Sequence, residues 1–181
     1  MTQLASSGGK GKRKGSAFER EICVALSLWV SAGKKKDLFW RSAMSGGRAT
    51  THRKNTNTEI RQGGDICSVA PEGHIFTDKF YIECKNYKSL DIQQFCVTSK
   101  GILAEFWADT VFKAEECNKA PVLIGRENRF PTIVLTLPKR PLLPNCASCL
   151  TQSQVMGSYP ALVYLFNNIL KRPFGDVLIT I

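Results

Sequence analysis

The segment KFYIECKN, residues 79–86, is the strongest indicator of the fold in this sequence. Its aromatic and β-branched residues predict a strand, in which successive side chains alternate between two faces. Glu83 and Lys85 therefore share one face, about 7 Å apart along the strand. Upstream, GGDICSV at residues 63–69 alternates apolar with small or polar residues after Asp65, which predicts a second strand opened by that carboxylate.

We expect the two strands to lie side by side, because APEGH at residues 70–74 is typical of a hairpin turn. Two carboxylates and an ammonium would then converge, and hard oxygen ligands of this kind collect Mg²⁺ or Mn²⁺. A lysine beside the metal could orient or deprotonate a water that attacks phosphorus. The alternative is an ordinary solvated strand face, since Glu-x-Lys is common. Against it, unpaired charge inside an apolar strand is costly, and Gly63-Gly64 lets the backbone bend closely around a ligand.

The positive charge of the chain is concentrated in its first third. Net charge is +10 over 181 residues, and residues 1–64 hold 13 Lys and Arg against 4 Asp and Glu, whereas residues 65–181 hold 12 against 11. A polyanion is the natural partner of such a surface. A basic tail that merely solvates would explain residues 10–14. It explains less well the bases nearer the candidate site, which are Lys34, Lys35, Lys36, Arg41, Arg48, Arg53, Lys54 and Arg61.

Cysteine usage and the N-terminus indicate a reducing compartment. Seven cysteines, an odd number set mostly in apolar segments, favour buried thiols over a disulfide framework. Cys146-x-x-Cys149 could be half of a zinc site, but no second pair of ligands lies nearby in the sequence. No signal peptide and no membrane span are predicted. We expect a cytoplasmic, nucleoid-associated protein without a membrane partner.

The hydrophobic pattern predicts an α/β fold. A helix with an N-cap at Ser16, and Glu19 as its capping-box partner, should end at Gly33. Then follow a strand in DLFWRSA, a polar loop at 45–64, the two strands above and a helical stretch over 90–117. PVLIG and PTIVLTL predict a buried strand pair, residues 157–171 a helix, and DVLITI a last strand. The expected architecture is a central mixed β-sheet flanked by helices.

Four motifs in this order, KGSAFERE, FWRSAMSG, GGDI and YIECK, resemble the PD-(D/E)xK nuclease superfamily. The likeness is closest to archaeal-type Holliday-junction resolvases and their phage relatives, and a phage or virus is a candidate source. The resemblance covers about residues 14–137 and implies a restriction-endonuclease-like core. It divides the chain into a disordered basic tail at 1–14, a nuclease domain at 15–138 and a C-terminal extension at 139–181.

The resemblance also implies roles for individual residues. Asp65 and Glu83 would hold Mg²⁺ or Mn²⁺ with the Cys84 carbonyl, Lys85 would position the attacking water, and Glu19 would reach a second metal or its water shell. A capping-box role explains Glu19 equally simply. Candidate DNA contacts are Arg20, Arg41 and Ser42 near the scissile bond, with Arg48, Arg53, Lys54 and Arg61 from the basic loop.

The implied function is metal-dependent hydrolysis of phosphodiesters in branched DNA, in recombination or repair. Two symmetric nicks in a four-way junction need two active sites, which predicts a homodimer. The chain departs from the family pattern in three ways: the long loop, the C-terminal extension, and Gly64 where the family has proline. The first two departures bear on the substrate rather than on the reaction, and the third is tolerated in the superfamily. The alternatives are a restriction-like or recombination nuclease on other DNA, and a DNA-binding protein without catalysis.

Overall fold

The computed structural model describes residues 8–42, 63–139, 142, 149–153 and 159–178. Their elements, in chain order, are α1 Gly8–Val30, β1 Phe39–Arg41, β2 Ile66–Ser68, α2 Pro71–Thr77, β3 Phe80–Tyr87, α3 Ile92–Thr98, α4 Ile102–Glu116, β4 Ala120–Glu127, β5 Ile133–Thr136, β6 Cys149–Ser153, β7 Ala161–Leu165, α5 Phe166–Leu170 and α6 Phe174–Leu178.

A five-stranded sheet in the order β3-β4-β5-β7-β6 forms the centre of this part of the chain. β3 and β4 run parallel, and the other neighbours are antiparallel. β1 and β2 form a separate antiparallel pair, joined to the edge strand β3 by a parallel bridge between Gly64 and Ile82. The predicted fold class, a mixed sheet flanked by helices, is confirmed.

Strand alternation builds a hydrophobic core on each face of the sheet. Ile82 of β3 and Val122 of β4 pack with α1, α2 and α5, whereas the adjacent Leu123 packs with α3 and α4. Because both faces are covered, β4 and β5 read as nearly continuous apolar runs. The predicted strand pair PVLIG and PTIVLTL is confirmed as β4 and β5.

The predicted hairpin through APEGH was wrong. This segment forms the start of α2, with Pro71 in the first turn, where a missing N–H costs nothing. Phe76 of α2 is buried in the core, and Gly73 packs so closely that a Cβ would lie 2.9 Å from Ser68 Cβ. Tertiary burial of this helix therefore overrides the turn propensity of its residues.

The first helix begins earlier than its predicted N-cap at Ser16. α1 starts at Gly8, so residues 8–14 of the expected disordered tail are helical. Lys and Arg offset part of the low helix propensity of Gly8, Gly9 and Gly11. Lys14 Nζ donates to Asn128 Oδ1 at 2.9 Å, which ties this segment to the turn after β4. The predicted end at Gly33 is confirmed, with φ +83° and its N–H donating to Leu28 O at 2.6 Å.

Two further elements differ from their predictions. The helical stretch over 90–117 is broken into α3 and α4, with positive φ at Ser99 and Gly101 between them. In the C-terminal segment, the helix predicted at 157–171 is strand β7 followed by short α5. Residues 176–178 of the strand predicted at 176–181 are helical, and the rest of that strand lies outside the described residues. Short apolar runs fit either structure, and pairing of β7 with β5 decides this one.

Residues 161–170 of the expected extension therefore belong to the sheet and its core. Val163, Tyr164, Phe166 and Ile169 are all buried. No helix in the described ranges is long and apolar enough to cross a membrane. Most of the basic loop and the Cys146 half of the possible zinc pair lie outside the described residues.

Candidate active site

Glu83 and Lys85 share the face of β3 that turns away from α1, as predicted. Lys85 Nζ donates to Glu83 Oε1 at 2.5 Å, and only 9% of the Glu83 side chain and 19% of the Lys85 side chain are exposed. The strand interior is apolar and fully paired with β4 on its other edge. A charged pair this buried is not the solvated strand face that the common Glu-x-Lys pattern usually represents.

Asp65 lies at the free edge of β3. Its N–H donates to Ile82 O at 2.8 Å, and its Oδ2 accepts from the Cys84 N–H at 2.9 Å. The Asp65 segment thus satisfies backbone groups that an edge strand would otherwise leave unpaired. Asp65 and Glu83 are brought together as predicted, although by a parallel bridge rather than by a hairpin.

The pKa of Asp65 reflects its burial and its proximity to a second carboxylate, Glu83. Burial raises the pKa of Asp65 to about 7, with the Glu83 charge adding to the rise and Glu19 contributing further. The Cys84 N–H and the Lys85 charge act in the opposite direction. Burial would lower the pKa of Lys85, but the charge and hydrogen bond of Glu83, with the charge of Asp65, raise it overall.

Glu19 is close enough to Asp65 for its charge to raise the pKa of that carboxyl, and it is not a helix cap. It sits eleven residues into α1, so its capping-box interpretation was wrong. Its Oε2 accepts a hydrogen bond from Arg41 Nε, and its side chain is 14% exposed. Glu19 and Arg41, from α1 and β1, are thus brought together beside Asp65.

The predicted DNA contacts other than Arg41 differ in where they lie relative to Asp65. Ser42 is buried, and its N–H donates to Asp65 O at 2.8 Å, so β1 ends beside the carboxylates. Arg20 is exposed on α1. Arg48, Arg53, Lys54 and Arg61 lie outside the described residues.

Two aromatic residues of this site were not predicted. Tyr81 lies on the Glu83 face of β3, and burial raises the pKa of its phenol, with the charges of Glu83 and Asp65 raising it further. The ring of Phe106, on α4, has the Lys85 Nζ over it at 5.1 Å from the centroid. In the sequence, Phe106 belongs to the apolar stripe of a helix, and such a stripe carries no signal of a charged partner 21 residues away.

The donor set matches a hard divalent cation. Among the side chains that the structure describes, no group of three or more His, Cys, Asp or Glu forms a metal cluster. Mg²⁺, however, is usually held by one or two carboxylates together with waters and substrate phosphates. Two buried carboxylates that repel each other, Asp65 and Glu83, fit that requirement.

A mixed sheet flanked by helices, with Asp and Glu-x-Lys at its edge, defines the class as the PD-(D/E)xK nuclease fold. A family model described as "Phage putative PDDEXK endonuclease" matches residues 10–147, about three quarters of the chain. The chain belongs to this family. No match was found among the curated proteins or among the solved structures. Membership makes the chain a nuclease of the PD-(D/E)xK superfamily, a hydrolase with DNA as its substrate, and divalent metals are the usual cofactors of such nucleases.

Proposed function

We propose that the protein is a Mg²⁺- or Mn²⁺-dependent endonuclease that cuts branched DNA in the manner of a Holliday-junction resolvase. The observation that carries the proposal is the buried Asp65 and Glu83 pair beside Lys85. A protein that only binds DNA gains nothing from holding carboxylates against phosphate. The non-catalytic alternative is therefore disfavoured.

In this proposal Asp65 and Glu83 hold the metal, with the Cys84 carbonyl and Glu19 as further ligands or partners of its water shell. When bound, the metal stabilises the charge that develops on the phosphate oxygens and makes a water more acidic. Lys85 donates to the attacking water or to a phosphate oxygen, using N–H groups that Glu83 does not occupy. Arg41 holds Glu19 in place and, with Arg20 and Ser42, contacts the DNA backbone.

The placement of the residues that flank the basic segment 43–62 supports a branched substrate. Ser42, which precedes the undescribed segment, and Gly63, which follows it, both lie beside Asp65. The segment between them carries Arg48, Arg53, Lys54 and Arg61 against the single acid Glu59. Because the residues on both sides of this cationic segment lie at the site, we infer that the segment contributes to selecting the shape of a polyanion.

A homodimer follows from this substrate. A four-way junction is cut by two symmetric nicks, which require two active sites in a fixed relation. The same active site in a monomer suits the alternative, a restriction-like or recombination nuclease acting on linear DNA.

Cleavage of a labelled four-way junction and a matched linear duplex, each in Mg²⁺ or in EDTA, tests the proposal. Paired symmetric nicks that require Mg²⁺ are expected, and they should disappear in Asp65→Ala, Glu83→Ala and Lys85→Ala. Glu21→Ala is the matched control, because Glu21 is an acid of α1 that pairs with Arg126 away from the site. Equal cleavage of both substrates would favour the alternative nuclease, and full activity of Asp65→Ala would refute the site.

Metal binding has a readout that does not depend on cleavage. Removing the Asp65 charge relieves its repulsion with Glu83, so Asp65→Asn in EDTA should unfold at the same temperature as the wild type or higher. Mg²⁺ should raise the wild-type melting temperature, because a hundredfold excess over Kd adds about 2.7 kcal/mol to the free energy of unfolding. Stabilisation of Asp65→Asn by the same Mg²⁺ titration would contradict the assigned ligand.

A further inference from the structure

The ring of Phe106 forms a floor beneath Lys85. Lys85 Nζ lies 5.1 Å from the ring centroid, within the distance at which an ammonium is attracted to the negative face of an aromatic ring. Phe106 is on α4, packed against the same face of the sheet, so the contact joins two different elements. The Lys85 side chain is 19% exposed, and partial burial strengthens such an attraction.

Phe106 also contacts a second aromatic ring. Tyr87 follows Lys85 by two residues and lies on the same face of β3. Its ring centroid is 5.2 Å from that of Phe106, and the two ring planes are tilted by 40°. Phe106 thus contacts both Lys85 and Tyr87 on the sheet face that carries Glu83. Phe106 therefore has an aromatic packing partner in addition to the charge that it contacts.

The geometry restricts where the ammonium can direct its protons. An ammonium has three N–H donors, and one of them donates to Glu83 Oε1 at 2.5 Å. The face of the Phe106 ring covers another side of the ammonium, and it has no lone pair that could accept a conventional hydrogen bond. The remaining donor capacity is left for a group that enters the site.

We propose that Phe106 is a positioning residue for Lys85, and this rests on the proposed function of Lys85. Its ring holds the ammonium by a cation–π contact, so that an N–H not used by Glu83 points at the attacking water or at a phosphate oxygen. Without the negative ring face, Lys85 collapses onto Glu83 alone, and the reacting water loses its orienting donor. Phe106 itself touches neither metal nor DNA.

A series of fluorinated phenylalanines at position 106 tests this in the full-length protein. Successive ring fluorines remove the negative face while the ring keeps nearly the same shape. A loss of about 1.4 kcal/mol of contact corresponds to tenfold. We therefore expect kcat for DNA cleavage to fall stepwise to about a tenth, with KM within twofold. Phe106→Tyr and Phe106→Trp, which keep a π face, should retain most of the wild-type kcat.

Phe112 is the matched control. It lies six residues along α4, on a different side of the helix, and is 57% exposed. The same fluorine series at position 112 should leave kcat unchanged. A kcat that stays flat across the series at position 106, or that falls equally at both positions, overturns the proposal.

The failure of this proposal can be told apart from the failure of the proposed function. Loss of cleavage in Lys85→Ala, together with a flat series at position 106, refutes the role of Phe106 alone. Full activity of Lys85→Ala refutes both. A readout without turnover is the proton resonance of the Lys85 ε-methylene, which the ring current should shift upfield. Phe106→Leu should remove that shift and lower the order of the Lys85 side chain, and an unchanged spectrum overturns the proposal.

Discussion

Gly64 is the residue whose backbone delivers Asp65 to the site. Its φ is +86°, and a Cβ built there would lie 2.4 Å from Ile82 O and 3.0 Å from Ile82 N. Proline, which stands here in the family pattern, has φ fixed near −65° and cannot adopt this conformation. The departure from the family motif is therefore a local backbone solution that keeps Asp65 against β3.

Gly64→Ala should consequently damage both stability and chemistry. We expect a loss of about 2 kcal/mol or more, because strain at positive φ adds to a backbone clash. Cleavage should be lost with it, since the clash displaces Asp65 from Ile82. Gly33→Ala is the control: Gly33 has φ +83° with nothing within 4 Å of its Cβ. It should lose only about 1 kcal/mol and retain normal cleavage. Denaturant unfolding and nicking rates of the two variants decide this, and equal behaviour would contradict it.

Two glutamates of α1 provide a second comparison at this scale. Glu19 pairs with Arg41 beside Asp65, and Glu21 makes two hydrogen bonds to Arg126 with 57% of its side chain exposed. Glu21→Gln should cost at most about 1 kcal/mol, as for an exposed pair, and leave nicking unchanged. Glu19→Gln should reduce nicking far more than its melting temperature accounts for. Parallel losses in the two variants would make Glu19 structural only.

At the level of secondary-structure elements, shortening the basic segment between β1 and β2 tests whether that segment selects the substrate. The backbone bond from Ser42 to Asp65 brings its two ends together, so a short connection can replace it. Substituting a four-residue Gly-Ser turn for residues 45–62 should leave the fold and Mg²⁺-dependent nicking in place, because loop length costs little stability. Preference for the junction over linear duplex should fall sharply.

A loop of native length with Arg48, Arg53, Lys54 and Arg61 replaced by Gln separates charge from length. If charge selects the substrate, this variant should lose junction preference as the short loop does, and its affinity should depend less on salt. An unchanged ratio of junction to duplex cleavage in both variants would make the loop inert.

At the scale of the whole molecule, the C-terminal segment completes the sheet. β7 pairs along β5, and Ala161, Val163, Tyr164, Phe166 and Ile169 are each at most 5% exposed. Burial of a Val, Phe or Ile side chain contributes roughly 1.5–3 kcal/mol, and a domain has only about 5–15 kcal/mol of stability in total. The family match ends at residue 147, before this strand.

A chain ending at residue 147 should therefore fail to fold, although it contains Glu19, Asp65, Glu83 and Lys85. We expect no cooperative thermal transition and aggregation through the uncovered edge of β5. A chain ending at residue 178 is the control and should unfold like the full chain. A cooperative transition in the shorter chain, followed by circular dichroism, would show that β7 is dispensable.

Local sequence patterns were enough to predict the fold class and to place Glu83 and Lys85 on one face of the edge strand. Period-two alternation put Glu83 and Lys85 on one face, and the long apolar runs of β4 and β5 were sufficient to identify buried strands. The order of the four motifs identified the superfamily that the family match supports. These features are local, and local sequence carries them.

The contacts between distant segments depend on tertiary packing and could not be predicted from local sequence. The turn propensity of APEGH gave way to α2 because Phe76 is buried, and the apolar run at 161–165 became a strand because β5 offered an edge. The Gly64 contact with Ile82, the Glu19–Arg41 pair and the ring of Phe106 beneath Lys85 each join segments far apart in the chain. Such contacts depend on packing between elements, and neither residue of a pair records the other in its own sequence neighbourhood.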